Sequence, residues 1–165
     1  MMGTMELSKQ SKSQVYDEIR GLWTVLTPEE KVRQRLLKKM IGELSYPREL
    51  LSVEKSLEEL TVFPKKEGSI PLRRVDITCF AKNIHSDYAL YPLLLIECKK
   101  EEDSIQKAWE QIKGYNHFLR AYFLAISHNE GELFGYYSGN SFQSLPYLPS
   151  YLELIKVVKH VKCLS

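Results

Sequence analysis

The chain has 165 residues, enough for one domain with a single hydrophobic core but too few to hold a motor domain as well. With 44% hydrophobic and 27% charged residues, it has the composition of a globular protein rather than a disordered, fibrous or membrane chain. The formal net charge of +2 excludes a global basic field, so any phosphate ligand must be bound by local basic patches. No apolar run reaches the roughly 18 residues of a membrane span.

Three widely spaced cysteines, Cys79, Cys98 and Cys163, do not form a disulfide or zinc pattern. Together with the absence of an apolar leader near the N-terminus, this spacing predicts an unprocessed protein of the reducing cytoplasm.

The first dozen residues are polar and without a period, so we expect an N-terminal arm or helix over residues 1–26 and a single domain over 27–165. Thr27-Pro28-Glu29-Glu30 is typical of a helix start, with Thr27 as the cap. Apolar residues at helical spacing continue this helix until Tyr46-Pro47 ends it.

The next segments predict strands. Residues 51–62 form a mixed segment that we interpret as a strand, and 65–69 a turn. Alternation over residues 75–80 predicts a second strand, followed by a loop at 83–88. Leu93-Leu94-Leu95-Ile96 is a continuous apolar run, which is typical of a central strand covered on both faces.

The rest of the chain continues this alternation of elements. Asp103 or Ser104 can cap a second long helix that reaches Leu119 despite Gly114 in its interior. A strand over 122–126 would then run parallel to the central one. An edge strand over 132–137 and a closing helix over 151–161 complete the predicted mixed α/β sandwich, with the sheet between helices.

The most informative charged residues stand at the end of the apolar strand. Glu97 and Lys99 are two apart and so share one strand face, while Cys98 turns to the other. Asp76 lies between apolar residues of the preceding strand, where an unpaired charge is costly. If the two strands are neighbours, Asp76 and Glu97 can converge on one divalent cation, for which Mg²⁺ is suited.

Two carboxylates and a lysine fit phosphodiester hydrolysis, in which negative charge builds on the phosphorus oxygens. Lys99 could orient the attacking water, deprotonate it or act as a point charge, and the sequence leaves these roles open. Equally open is a structural ion pair, in which Asp76 simply partners Lys99, Arg73 or Arg74.

These residues resemble a known family. Arg74-Val75-Asp76 followed by Ile96-Glu97-Cys98-Lys99 is similar to the Asp…Glu-x-Lys signature of the PD-(D/E)XK nuclease superfamily. More narrowly, residues 27–137 resemble the N-terminal domain of type I restriction-enzyme R subunits. Thr27-Pro28-Glu29-Glu30 with Val32-Arg33-Gln34 resembles the opening helix of that family, and Glu54 matches an acidic position on its first strand. In the second helix, Gln111 and Tyr115 resemble the family's Gln-x-x-x-Tyr motif. Val75 in place of the superfamily's proline is a departure, and so is the lack of a translocase in this chain.

The resemblance implies a restriction-endonuclease-like three-layer sandwich and a DNA endonuclease that depends on Mg²⁺ or Mn²⁺. It implies Asp76, Glu97 and Lys99 as catalytic residues, with the metal on Asp76 and Glu97. Gln111 and Tyr115 would support the site or the substrate. A homodimer is a further expectation, since many such nucleases cut two strands as dimers.

Several alternatives stay open. Glu30 is either an additional ligand or a helix cap, and Glu54 either a metal ligand or a solvated or ion-paired residue. Basic pairs could gather phosphates, and tyrosines could stack on bases, although such residues more often serve solvation and packing. The competing functions are a catalytically inactive nucleic-acid-binding module on the same fold and a protein-interaction scaffold.

Overall fold

The computed structural model describes residues 12–64 and 70–163. Its elements follow in the order β1 (Gln14–Asp17), β2 (Leu22–Val25), α1 (Pro28–Gly42), β3 (Leu51–Ser56), α2 (Leu57–Leu60), β4 (Arg74–Lys82), β5 (Leu90–Cys98), α3 (Ile105–Leu119), β6 (Phe123–His128), β7 (Gly131–Ser138), β8 (Ser141–Leu145) and α4 (Tyr151–Cys163).

A mixed sheet of six strands forms the middle layer, in the order β3-β4-β5-β6-β7-β8. Only β5 and β6 pair in parallel, and α3 connects them, as the strand–helix–strand pattern predicts. All other neighbouring strands of this sheet are antiparallel. The apolar run of β5 therefore lies inside the sheet, where both of its faces are covered.

Two separate apolar cores show that the sheet lies between helices. On one face α1 and α4 pack on the sheet through residues such as Leu36, Met40 and Leu154. On the other face α2 and α3 pack through residues such as Leu57, Trp109 and Ile112. The predicted three-layer sandwich is confirmed, and each helix contributes one apolar stripe to it.

A close approach on the α3 side depends on one glycine. A Cβ added to Gly135 of β7 would lie 2.3 Å from Phe142 and 2.8 Å from Trp109. The rings of Trp109 and Phe142 meet edge to face, with centroids 5.0 Å apart. The missing side chain lets α3 lie close to this part of the sheet.

The structure differs from the prediction in the N-terminal segment. Residues 12–26 were expected to form an arm or helix, but the strands β1 and β2 pair there as an antiparallel hairpin. Asp17 explains this local fold, because its carboxylate accepts the backbone N–H groups of Ile19 and Arg20 and so stabilises the turn. The earlier part of the predicted arm, residues 1–11, lies outside the described residues, and the division into an arm and one domain stays a prediction.

Two strand predictions were also inaccurate. The strand predicted over 51–62 ends at Ser56, which caps the short helix α2 in a reciprocal capping box with Glu59. The strand β7 was predicted as an edge strand, but it pairs with a further strand, β8, that the sequence analysis missed. Two of its five residues, Ser141 and Ser144, are serines, which are typical of turns and hid the strand pattern. The turn predicted at 65–69 lies outside the described residues.

The two cysteines whose side chains are described, Cys79 and Cys98, are buried and free. Among the described helices, none is long and apolar enough to cross a membrane.

Candidate active site

The predicted catalytic residues meet at the adjacent ends of β4 and β5. Ile77 and Ile96 are paired across the two strands, and Asp76 and Glu97 are the next residues along each strand. Both carboxylates are buried, with 6% and 4% of each residue exposed. The backbone N–H of Cys98 donates to Asp76 Oδ2 at 2.6 Å, which ties the end of β5 to Asp76.

A short chain of hydrogen bonds connects this pair to α3. Lys99 Nζ donates to Glu97 Oε1 at 2.8 Å and to Gln111 Oε1 at 3.1 Å. The amide nitrogen of Gln111 donates to Glu97 Oε1 at 2.6 Å and to the Tyr115 hydroxyl at 2.7 Å. The spacing of four residues places Gln111 and Tyr115 on one face of α3, so that each orients the next group.

Glu97 has a carboxylate oxygen without a partner and a strongly raised pKa. Its second carboxylate oxygen, Oε2, is buried and has no hydrogen-bond partner among the described residues. Burial, together with the negative charge of Asp76, raises the pKa of Glu97 from its ordinary value of 4.5 to about 7, against the opposing effect of Lys99. An acceptor left alone in this way is costly unless a ligand or a proton satisfies it.

Lys99 remains protonated in this environment. Burial alone would lower its pKa, but the hydrogen bond and the charge of Glu97 outweigh that effect and raise the pKa above its ordinary value. Lys99 therefore lies beside Glu97 as a cation that donates hydrogen bonds to Glu97 and Gln111.

A buried arginine on α1, which the sequence analysis noted only as part of the resemblance, is the main addition to the site. Arg33 is 4% exposed and donates to Asp76 Oδ1 at 2.5 Å and to Glu54 Oε1 at 2.6 Å. It also contacts Glu30 Oε2, and its pKa is raised because the surrounding carboxylates outweigh the effect of burial. The signal in the sequence was the spacing, since Arg33 stands three residues after Glu30 on one helix face.

Glu54 reaches this cluster through an unusual backbone conformation. Its φ of 56° lies in the left-handed region, which is uncommon for a residue other than glycine. It lies between Val53 and Lys55, which pair with Ile77 and Val75, and so stands opposite Asp76. Burial raises the pKa of Glu54, and the neighbouring Asp76 adds to this rise against the charge of Arg33. Of the two roles left open for Glu54, the structure shows the ion pair.

The carboxylate of Glu30 is fully engaged by the protein. Its Oε1 accepts from Arg20 at 2.7 Å and from Gln34 at 2.9 Å, and its Oε2 accepts from Arg33. Its backbone N–H donates to the side chain of Thr27, the helix cap. Glu30 therefore connects the N-terminal hairpin, through Arg20, to the acidic cluster.

Some basic residues and tyrosines that could have contacted phosphates or bases lie away from the site. Lys39 pairs with Glu132 at 2.6 Å, far along α1 from the site. Tyr137 packs on Phe142, and Tyr151 packs on Tyr46. These tyrosines therefore serve packing in the structure.

Comparisons with known proteins agree with the fold. A family model described as the type I restriction enzyme R protein N terminus matches residues 28–149. The chain belongs to this family. No curated protein matches the chain significantly.

A solved structure is similar to this member of the R-protein N-terminus family. It is a fragment assigned as an HsdR subunit of a type I restriction enzyme from Vibrio vulnificus YJ016, with a TM-score of 0.54 and 21% sequence identity. The match covers 79% of this chain but 25% of that chain, so this chain spans about a quarter of its length. At this identity, the likeness is evidence for the fold alone.

The donor set of this family member fits a single hard cation. Among residues 12–64 and 70–163, no group of three or more His, Cys, Asp or Glu side chains is arranged to hold a metal ion. Asp76 and Glu97 supply two carboxylates, which with waters and substrate oxygens is a usual protein contribution to Mg²⁺ binding. The lone Glu97 Oε2 and the mutual repulsion of the two acids are the features that a cation would relieve.

Proposed function

We propose that this protein hydrolyses phosphodiester bonds in DNA with Mg²⁺ or Mn²⁺, as a PD-(D/E)XK nuclease, through Asp76, Glu97 and Lys99. The observation that carries the proposal is the buried Glu97 Oε2, which has no partner among the described residues although Lys99 and Gln111 hold the other oxygen. This arrangement fixes the carboxylate and leaves one acceptor available. Membership of a restriction-enzyme R-protein family is consistent with this activity.

Asp76 and Glu97 would hold the cation. When bound, it would offset the negative charge that develops on the phosphate and lower the pKa of a coordinated water. The two residues come from neighbouring strands of one sheet, and Cys98 N–H together with Arg33 fixes Asp76 from two sides. The carboxylates are thus positioned before any ligand arrives, which reduces the cost of ordering them.

Lys99 would contact the reacting phosphate as a cation. Because its pKa is raised, it carries its proton at neutral pH and can donate to a phosphoryl oxygen or to the attacking water. Of the three roles that the sequence leaves open, the deprotonating one fits least. Gln111 positions the ammonium through its carbonyl oxygen, and Tyr115 positions Gln111.

The test is cleavage of supercoiled plasmid and of a labelled duplex with Mg²⁺, Mn²⁺ or EDTA. Lys99→Ala and Glu97→Gln should lose at least about 100-fold in rate, the scale of removing one transition-state donor. Lys159→Ala, which removes an exposed lysine of α4, is the matched control and should cleave as the wild type does. Equal cleavage by the wild type and Lys99→Ala would refute the role of Lys99.

Two measurements test whether the active species is the expected homodimer. Light scattering on the wild type with and without duplex gives its mass, and cleavage that rises with the square of protein concentration would support paired active sites.

A second candidate is favoured by the Arg33 contact. Its guanidinium already pairs with Asp76, one of the two proposed metal ligands, and a module that binds nucleic acid without cutting it does not need that carboxylate to bind a cation. Such a module would bind duplex DNA with a strong salt dependence in EDTA, show no metal-dependent nicking and be unaffected by Asp76→Asn.

A further inference from the structure

A groove opens beside the candidate active site on the α3 side of the sheet. It has a volume of about 470 Å³ and lies between α3 and the residues that lead into β4. Gln111 and Tyr115 line it, so the groove is continuous with the hydrogen bonds that hold Lys99 and Glu97. A substrate strand whose phosphate reaches Lys99 has this groove directly alongside it.

Gly114 forms part of the wall of the groove, and nothing among the described residues requires a glycine there. It lies in the interior of α3, where glycine is less stable than alanine because it loses more backbone freedom on folding. A Cβ added to Gly114 would meet no atom within 4 Å, and its φ is not in the left-handed region. Glycine is favoured where a ligand approaches the backbone closely, and such an approach would account for this costly residue.

Arg73 supplies the charge that the groove needs for an anionic ligand. It is exposed and forms no ion pair with any residue in the described part of the chain. It lies near Tyr115: burial and the charge of Glu97 raise the pKa of the Tyr115 hydroxyl, and the positive charge of Arg73 opposes this rise. The one carboxylate of the groove, Glu110, accepts from Gln106 at 3.2 Å on the outer surface of α3.

We propose that this groove binds the DNA strand next to the scissile phosphate, with the sugar-phosphate backbone against Gly114 and a neighbouring phosphate at Arg73. The half-buried ring of Phe118 in the groove suits the sugar and the base edge. This inference rests on the proposed function, since it assigns a path to the substrate of the same site.

The experiment measures duplex binding by fluorescence anisotropy, in Ca²⁺ or EDTA so that no cleavage interferes. Gly114→Ala and Gly114→Leu fill the open space, and we expect about 3-fold and at least about 10-fold weaker binding, the scale of 1.4 kcal/mol per tenfold. Gly42→Ala and Gly42→Leu are matched controls, because Gly42 is also helical and exposed and its added Cβ also meets nothing within 4 Å. These controls should bind as the wild type does.

A second variant tests the charge. Arg73→Gln should weaken binding and lower the slope of log affinity against log salt by about one phosphate contact. Thermal unfolding separates binding from folding, because Gly114→Ala should raise the melting temperature of the protein while it weakens DNA binding.

The outcomes distinguish this inference from the proposed function. Wild-type binding by Gly114→Leu, or equal losses in Gly114→Leu and Gly42→Leu, would overturn the groove while Lys99-dependent cleavage still supported the nuclease. Absence of duplex binding by the wild type at low salt would also overturn the groove. If the wild type binds but never cleaves, and Gly114→Leu alone loses binding, the groove stands and the nuclease fails.

Discussion

Arg33 and Asp76 form a buried ion pair, with the guanidinium of α1 donating to Asp76 Oδ1 at 2.5 Å. The side chains are 4% and 8% exposed, so neither charge is well solvated. Arg33 also pairs with Glu54, with Glu30 and, at 3.4 Å, with Glu29, which makes one cation the common partner of four acids. It thereby joins α1, β3 and β4 at the point where the candidate active site begins.

Arg33→Met should destabilise the protein strongly. Removing the cation that these acids share leaves the buried carboxylate of Asp76 without its ion-pair partner, at a cost of about 3–5 kcal/mol in the free energy of unfolding. Urea denaturation at pH 7 measures this loss. Arg48→Met is the matched control, because Arg48 pairs with Glu18 at an exposed site and its loss should cost less than about 1 kcal/mol. If Arg33→Met lost as little stability as Arg48→Met, the ion pairs of Arg33 would add no more to stability than an exposed pair does.

Glu97→Gln should change how the stability of the metal-free protein depends on pH. The folded protein keeps the Glu97 proton up to a pH of about 7, whereas the unfolded chain releases it near its ordinary value of 4.5. Folding therefore takes up a proton between these values, and the contribution of Glu97 to stability is lost as pH rises through this window. Glu97→Gln has no proton to release at this position. The free energy of unfolding of the variant minus that of the wild type should therefore increase from pH 4.5 to 7, by up to roughly 3 kcal/mol.

Denaturation in EDTA across this pH range gives the comparison. Glu59→Gln is a control at an exposed carboxylate whose pKa is lowered by its hydrogen bonds to Ser56, so its stability difference should not rise over the same range. A flat difference for Glu97→Gln would mean that Glu97 is ionised in the folded protein well below pH 7.

Tyr115→Phe should lower the cleavage rate with little effect on folding. The tyrosine hydroxyl accepts from the Gln111 amide at 2.7 Å, and without it that amide loses one of its two partners. The expected loss is about 3- to 10-fold in kcat, the equivalent of roughly 1 kcal/mol for one hydrogen bond. Tyr137→Phe, at an exposed tyrosine of β7, should cleave as the wild type does. A wild-type rate for Tyr115→Phe would remove Tyr115 from the supporting role.

The sequence predicted the sandwich because its strongest signals are local. The apolar run of β5 and the capped, amphipathic α1 and α3 are specified by residues within each element. Asp76, Glu97 and Lys99 came together as expected because strand period and pairing of neighbours place them there.

What the sequence did not predict depends on contacts between distant segments. Arg33 lies 43 positions from Asp76, and no helical period shows which acid a buried arginine will partner. The left-handed Glu54 and the hairpin of β1 and β2 are likewise stabilised by contacts with α1, from Arg33 to Glu54 and from Gln34 to Asp17. Tertiary ion pairs of this kind override local propensity and leave little trace in the pattern.

Gly135→Ala should destabilise the fold, opposite in sign to Gly114→Ala. The new methyl group would overlap Phe142 and the Trp109 ring, at 2.3 Å and 2.8 Å, so these side chains must move. Overpacking of this kind costs about 1–3 kcal/mol in the free energy of unfolding. Urea denaturation measures the change in stability in Gly135→Ala, in Gly114→Ala and in the double variant Gly135→Ala with Phe142→Leu. Relief in the double variant would locate the strain at Phe142, whereas a single variant as stable as the wild type would show that β8 and α3 yield easily at this contact.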